Sequence, residues 1–232
     1  MQPQRHSLVW LTAPGWDQVQ ASAAGKPVLL REALARWRAA DWPLVVRRRL
    51  PPLAATELAL GIALPPQPQT GVRPRIASVV DQRHVRRIEP PLLLSAILTV
   101  APVHWRAALS ALLLEALDGL PPLQVYGSLA WQTITGMQYL TSVSDIDLLV
   151  TPASRSQLDA CLDCLRRHAE VLPLDGEIVF PDGAAVSWKE WSGVIRGNSS
   201  AASAKVLVKH VDSVAMSDCG ALLATFDGAV AS

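Results

Sequence analysis

Cysteine is scarce in this chain of 232 residues. Three cysteines, an odd number at irregular positions, cannot build a disulfide framework. An excess of charge is also missing: 21 Lys plus Arg stand against 20 Asp plus Glu, a net +1. That balance supplies no general attraction to nucleic acid or to a membrane surface. Long apolar runs are absent too. The longest, Pro90 to Val103, is too short to span a bilayer and contains Pro90, Pro91 and Pro102. Met1 to Arg5 and the residues beyond lack a basic segment followed by a continuous apolar run. No signal peptide is therefore expected, and the protein is expected to be cytoplasmic and reduced.

Phe and Tyr total only four, whereas Trp (8) and Pro (18) are generous. A Pro-rich chain favours many short elements over a few long helices. Half of the residues are hydrophobic and 18% are charged, which excludes a disordered tail or a collagen-like fibre. The length suits one large domain or two small ones.

The near-neutral total hides an asymmetry. Residues 1–90 carry 13 Lys plus Arg and 6 Asp plus Glu, a surplus of +7; residues 91–232 carry 8 and 14, a deficit of −6. Arg47, Arg48 and Arg49 cluster in the first part, and Arg73, Arg75, Arg83, Arg86 and Arg87 follow. Two readings stand: a solvated basic face, or a surface that meets phosphates or an acidic partner protein. Few aromatics interleave with these arginines, so nucleic acid is not expected.

The apolar pattern predicts a strand over Leu8–Leu11, a helix over 26–40, and strands over 44–46, 58–64 and 76–80. These make a small basic α+β domain over residues 1–85, with the boundary within Asp81 to Pro91. A second domain is expected over 86–212. It begins with helices over 92–100 and 105–117, the latter stopped by Gly119 and Pro121. A strand over 123–126 leads into Gly127-Ser128 and a helix over 129–134. The clearest strand is 145–150, followed by a helix capped by Thr151-Pro152 with Leu158, Cys161, Leu162 and Leu165 in one stripe. Residues 177–180 and 185–191 form the arms of a hairpin around Pro181-Asp182-Gly183. Residues 196–204 read as a loop and 206–208 as a last strand. Residues 213–232 match no element. The fold class is α+β.

The chemistry lies in Gly127-Ser128, followed after sixteen residues by Asp145-Ile146-Asp147-Leu148-Leu149-Val150. Residues two apart in a strand share a face, so Asp145 and Asp147 project together, roughly 7 Å apart at Cα. Two carboxylates brought to about 4 Å repel by ~4 kcal/mol at an effective dielectric near 20. One must stay protonated, or a cation must sit between them. A divalent metal with oxygen ligands is the economical answer, and magnesium suits carboxylates combined with substrate phosphates. A bare Asp-x-Asp is more often an exposed edge-strand feature. Gly127-Ser128, between a strand and a helix, changes that balance: glycine lets a phosphate approach the backbone, and the hydroxyl and helix N-terminal amides can bind it. A phosphate site beside a metal site is a layout for phosphoryl or nucleotidyl transfer.

A strand ending in Gly-Ser, a helix, then a strand with Asp-x-Asp resembles the nucleotidyltransferase superfamily typified by polymerase beta. That family adds a third carboxylate on a later strand; Glu177 is the best-placed candidate, with Asp175 and Glu190 as alternatives. Further blocks narrow the resemblance. They are Arg5-His6-Ser7-Leu8-Val9-Trp10-Leu11, Trp42-Pro43-Leu44-Val45-Val46-Arg47-Arg48, Tyr126-Gly127-Ser128-Leu129-Ala130-Trp131-Gln132, Thr135-Gly136, Ser144-Asp145-Ile146-Asp147-Leu148-Leu149 and Asp175-Gly176-Glu177. Together they are similar to the phosphoribosyl-dephospho-CoA transferases of bacterial malonate decarboxylase, the holo-acyl-carrier-protein synthases of that system. Ser7 departs from the acidic residue that the family pattern has after Arg-His.

The resemblance implies transfer of a prosthetic group from 2′-(5″-triphosphoribosyl)-3′-dephospho-CoA to a serine of the malonate decarboxylase acyl-carrier subunit, with release of diphosphate. Asp145 and Asp147 would hold Mg2+, with Mn2+ as a substitute, and Glu177 would complete the catalytic carboxylates. Gly127 and Ser128 would cradle phosphates, with Lys189 and Lys209 as further substrate contacts. Basic residues of the first part would neutralise the donor or steer the carrier. Neither nucleic acid nor a membrane is implied. The alternatives are a nucleotidyltransferase of the same fold acting on another nucleotide or carrier, and a non-catalytic carrier-binding module.

Other residues read as structural. Cys161-x-x-Cys164 lies mid-helix without a second ligand pair and reads as core. The five histidines are scattered. Trp188 and Trp191 read as packing, and Trp131 as packing in preference to stacking on an adenine.

Overall fold

Short apolar strands separated by Pro-rich turns set the architecture of this computed structural model, which describes residues 3–49, 53–197 and 201–228. Twelve strands and eight α-helices are found among them, divided between two sheets, and the fold is α+β. The chain divides into two units: residues 1–91 with 134–139, and residues 92–133 with 140–232.

The first unit holds a five-stranded antiparallel sheet in the order β4-β3-β2-β1-β5. Its strands are β1 (Leu8–Leu11), β2 (Leu44–Val46), β3 (Glu57–Ala63), β4 (Arg75–Asp81) and β5 (Val85–Glu89). Two helices accompany it, α1 (Ala13–Ser22) and α2 (Val28–Ala39). Helix α1 matches none of the expected elements. Thr12 caps it by accepting from the Gly15 amide, and Pro14 stands in its first turn, where a missing N–H is harmless. Helix α2 buries Leu34 and Trp37, whose indole donates to the Pro43 carbonyl at 3.1 Å. Tyr139 is buried and donates its hydroxyl to the Ala63 carbonyl at 2.8 Å; burial raises its pKa.

The expected break between residues 85 and 86 falls at the start of β5. That strand pairs with β1 over Leu8↔Glu89 to Leu11↔Val85, so the first unit runs on to Pro91. Several arginines of the basic surplus meet carboxylates within this unit. Arg86 lies 2.6 Å from Asp41, Arg87 3.2 Å from Glu89, Arg83 3.6 Å from Asp81 and Arg38 2.7 Å from Asp17. Arg87 also stacks 3.7 Å above the Trp10 ring.

The second unit holds a seven-stranded sheet in the order β12-β11-β10-β9-β8-β7-β6. Its elements are β6 (Leu92–Leu93), α3 (Leu94–Ile97), α4 (Val103–Ala116), β7 (Gln124–Tyr126), α5 (Gly127–Thr135), β8 (Ile146–Val150), α6 (Arg155–His168), β9 (Leu174–Val179), β10 (Ala185–Ser187), α7 (Trp188–Gly197), β11 (Lys205–Lys209), β12 (Val214–Asp218) and α8 (Cys219–Gly228). Strands β8 and β9 are parallel, joined through α6; the other neighbours are antiparallel.

Period-two alternation decides the faces. Ile146, Leu148 and Val150 of β8 join Ile178, Val186, Val206 and Val208 in one core with the apolar stripes of α4, α6 and α8. Asp147, Leu149, Asp175 and Glu177 alternate with these residues and so take the other face. None of the described helices is long and apolar enough to cross a membrane.

Several local expectations need correction. Leu92 and Leu93 pair with β7, so the helix after them shrinks to α3. The cap of α6 is Ser154, which accepts from the Gln157 amide, and not Thr151-Pro152. The second hairpin arm ends at Ser187, and Trp188 opens α7 in place of an extended strand. Trp188, Trp191 and Ser192 follow helical spacing and are buried together. In the expected loop over 196–204, residues 201–203 make a short 3-10 turn, and residues 198–200 lie outside the described set. The unassigned C-terminal stretch supplies β12 and α8, with residues 229–232 outside the description.

Candidate active site

The chain enters the site through the turn from β7 into α5. Tyr126 pairs with Asp147 across the strands, which brings the next residue, Gly127, beneath the Asp147 carboxylate. A Cβ at Gly127 would lie 1.9 Å from Asp147 Oδ2, and the backbone there has φ +70°. A side chain at this position would push that carboxylate aside and strain the backbone. Ser128 follows, buried at 5% exposure in the first turn of α5.

A tight turn then presents the first carboxylate. The Thr141 amide donates to Ser144 Oγ at 2.9 Å, the Ser144 amide to the Thr141 carbonyl at 3.2 Å, and the two hydroxyls lie 3.2 Å apart. Asp145 follows this turn, Ile146 is fully buried, and Asp147 is half-buried on the opposite side of the strand from Ile146.

The third acidic residue comes from β9. The parallel register sets Asp147 against Asp175 and Leu149 against Glu177. Carboxylate oxygens of Asp145, Asp147 and Asp175 all lie within 4.8 Å of one another, a spacing that a single metal ion with oxygen ligands can satisfy. Asp175 Oδ1 accepts from the Gly176 amide at 2.8 Å and lies 3.8 Å from Lys189 Nζ, which projects from the first turn of α7. Gly176, with φ +133°, allows β9 to press on β8; a Cβ there would lie 1.9 Å from the Leu148 carbonyl oxygen.

The sequence-level candidates therefore separate. Asp145 and Asp147 come together with Asp175. Glu177 lies two residues further along β9 outside that group; its carboxylate, 5% exposed, accepts from Lys209 Nζ at 2.9 Å. Glu190 accepts from the Leu207 amide at 2.8 Å. Gly127 lies against the carboxylates, Lys189 beside Asp175, and Lys209 on Glu177. Asp175 joins the group through register, because β9 runs parallel to β8 and sets Asp175 against Asp147.

One other group of described His, Cys, Asp or Glu residues gathers in this way: Glu115, Cys164 and His168, at the junction of α4 and α6. Its ligands are already engaged. Hydrogen bonds from Arg167 and then His168 hold the Glu115 carboxyl down to about 2. His168 Nε2 lies 3.0 Å from Glu115 Oε2. Burial pushes the Cys164 thiol up to about 12, and that of Cys161 equally, away from the thiolate a metal needs. The Cys-x-x-Cys spacing is core packing.

Comparison with known proteins agrees with this architecture. The family described as phosphoribosyl-dephospho-CoA transferase MdcG matches through its N-terminal domain over residues 4–91 and its C-terminal domain over residues 92–219. A Bradyrhizobium diazoefficiens protein named phosphoribosyl-dephospho-CoA transferase is 36% identical over 219 residues, covering 93% of this chain and 90% of its own. A Xanthomonas campestris pv. campestris protein of the same name is 36% identical over 192 residues, covering 82% and 85%. One from Pseudomonas putida is 29% identical over 201 residues, covering 83% and 86%. No solved structure matches the chain significantly. With both of the family's domains matched and these relatives aligned along most of its length, the chain belongs to the phosphoribosyl-dephospho-CoA transferase family.

Proposed function

We propose that this protein transfers the phosphoribosyl-dephospho-CoA group from 2′-(5″-triphosphoribosyl)-3′-dephospho-CoA to a serine of the malonate decarboxylase acyl-carrier subunit, with nucleotidyltransferase-type chemistry in the cytoplasm. The observation that carries this reading is the convergence of Asp145, Asp147 and Asp175 beside Gly127. An all-carboxylate donor set of this spacing fits Mg2+ or Mn2+. Held there, the ion would polarise phosphoryl oxygens and offset their charge. In this reading Asp175, in place of Glu177, is the third catalytic carboxylate.

The serine Oγ–phosphorus bond forms as the bond from that phosphorus to the next phosphate oxygen breaks. Diphosphate leaves with the electron pair, and the hydroxyl proton passes to a base. Asp145, just ahead of β8, is assigned as that base. The first turn of α5, which begins at Gly127, receives the phosphates at its backbone amides. Lys189 adds positive charge beside Asp175. The basic surplus of residues 1–90 supports a role for the first unit in attracting the polyanionic donor or an acidic carrier.

The test is the intact mass of the purified carrier subunit after incubation with this protein, Mg2+ and the donor. A gain of one phosphoribosyl-dephospho-CoA group, suppressed by EDTA, is expected. An unchanged mass with a carrier that a known family member can load overturns the assignment.

A further inference from the structure

We propose that Glu177 is a positioning residue, and that it holds Lys209 as the cation of a diphosphate subsite on the face that bears the three aspartates. This deepens the transferase reading and rests on it for the identity of the anion.

The argument starts from register. Strand β10 lies between β9 and β11, with Ser187 opposite Glu177 and Ala185 opposite Lys209. Strands two apart in a sheet are about 9.6 Å apart, so an ion pair between β9 and β11 must cross the strand between them. Only a long side chain over small ones can do so. Lys209 reaches across where β10 presents Ala185 and Ser187, and its ammonium meets Glu177 Oε1 at 2.9 Å.

The carboxylate is deep and the ammonium is not. Glu177 is 5% exposed, with Leu149 as its register partner on β8, whereas the Lys209 side chain is 35% exposed. A carboxylate that deep is costly unless paired, and the pairing in turn fixes the otherwise flexible lysine. An ammonium carries three donors, so its bond to Glu177 leaves capacity for a second anion. Asp175 and Glu177 are two residues apart on one face, about 7 Å along the strand. The ammonium therefore stands on the same face as the carboxylate cluster, roughly 7 Å along the strand from it and within the span of a bound triphosphate. A phosphate gripped at the aspartates places the departing diphosphate within reach of Lys209.

The probe is inorganic diphosphate with Mg2+, titrated calorimetrically into the full chain. Glu177→Gln and Lys209→Gln are each expected to weaken its binding about tenfold, the scale of one charge-assisted hydrogen bond. Because both act through one ammonium, the double variant is expected to lose no more than the worse single, and Lys209→Arg to retain most of the affinity. In carrier loading, the same variants raise KM for the donor and leave KM for the carrier unchanged. Thermal melts establish that each variant is folded; if Glu177→Gln is not, Lys209→Gln against Lys209→Arg carries the comparison. Diphosphate affinity that stays within twofold of the parent in Lys209→Gln overturns the inference. So do effects of the two substitutions that multiply. Loss of diphosphate binding in a protein that never loads the carrier would keep the anion subsite and defeat the transferase reading. Normal loading with unchanged donor KM would do the reverse.

Discussion

In the five-stranded sheet and its helices, Arg86 meets Asp41, Arg87 meets Glu89 and Arg38 meets Asp17. Along β8 and β9 of the seven-stranded sheet, Asp145, Asp147 and Asp175 crowd within 4.8 Å with one lysine at 3.8 Å from Asp175. The first region sets several opposite charges in pairs at its surface, where each pair is worth little. The second gathers three like charges within one small volume. Like charges so close repel, and in the proposed function a cation offsets that repulsion. Paired surface charge in one region thus stands against clustered charge in the other.

Substitutions should reproduce that difference. The largest effect is expected at the cluster: Asp147→Asn lowers carrier loading by about a thousandfold, the scale of a lost metal contact, while the melting temperature holds or rises as repulsion is relieved. Gly127→Ala comes next. The new methyl would displace the Asp147 carboxylate, and misplacement by about 1 Å costs about a hundredfold in single-turnover rate. Gly176→Ala acts on stability, by about 3 kcal/mol in denaturant unfolding, because it forces β9 away from Leu148 at a backbone angle only glycine accepts. Arg86→Ala in the first region is expected to shift stability by less than about 0.5 kcal/mol and leave loading unchanged.

Another small effect depends on pH. Glu115, held by Arg167 and His168, titrates at about 2 in place of 4.5. A depressed carboxyl stabilises the fold above the unfolded value and stops doing so as pH falls through the folded one. Glu115→Gln should therefore lower stability slightly at pH 7, by at most about 1 kcal/mol for so exposed a pair. The difference from the parent should shrink between pH 4.5 and 2. Thermal melts across that range check it; a difference that grows on acidification would refute the pairing.

How far the sequence revealed this follows from the range of its signals. Strand β8 was legible because Ile146, Leu148 and Val150 alternate with carboxylates, and α6 because its stripe repeats at helical spacing. Strand β5 was not. Val85-Arg86-Arg87-Ile88-Glu89 is charged along most of its length and becomes a strand only by pairing with β1. Trp188 to Trp191 suited a strand by composition, but burying Trp188, Trp191 and Ser192 on one side requires a helix. The pair Asp145 and Asp147 could be read locally. The choice of Asp175 over Glu177 could not, since it depends on a parallel register set through α6 and on a lysine 32 residues away from Glu177.

The decisive measurement is the single-turnover rate of carrier loading at saturating donor for Asp175→Asn beside Glu177→Gln. The account predicts a loss of about a thousandfold for the first. For the second it predicts a rate near that of the parent once the donor is saturating. A full rate in Asp175→Asn, with loading abolished in Glu177→Gln, would contradict it and return the third carboxylate to Glu177.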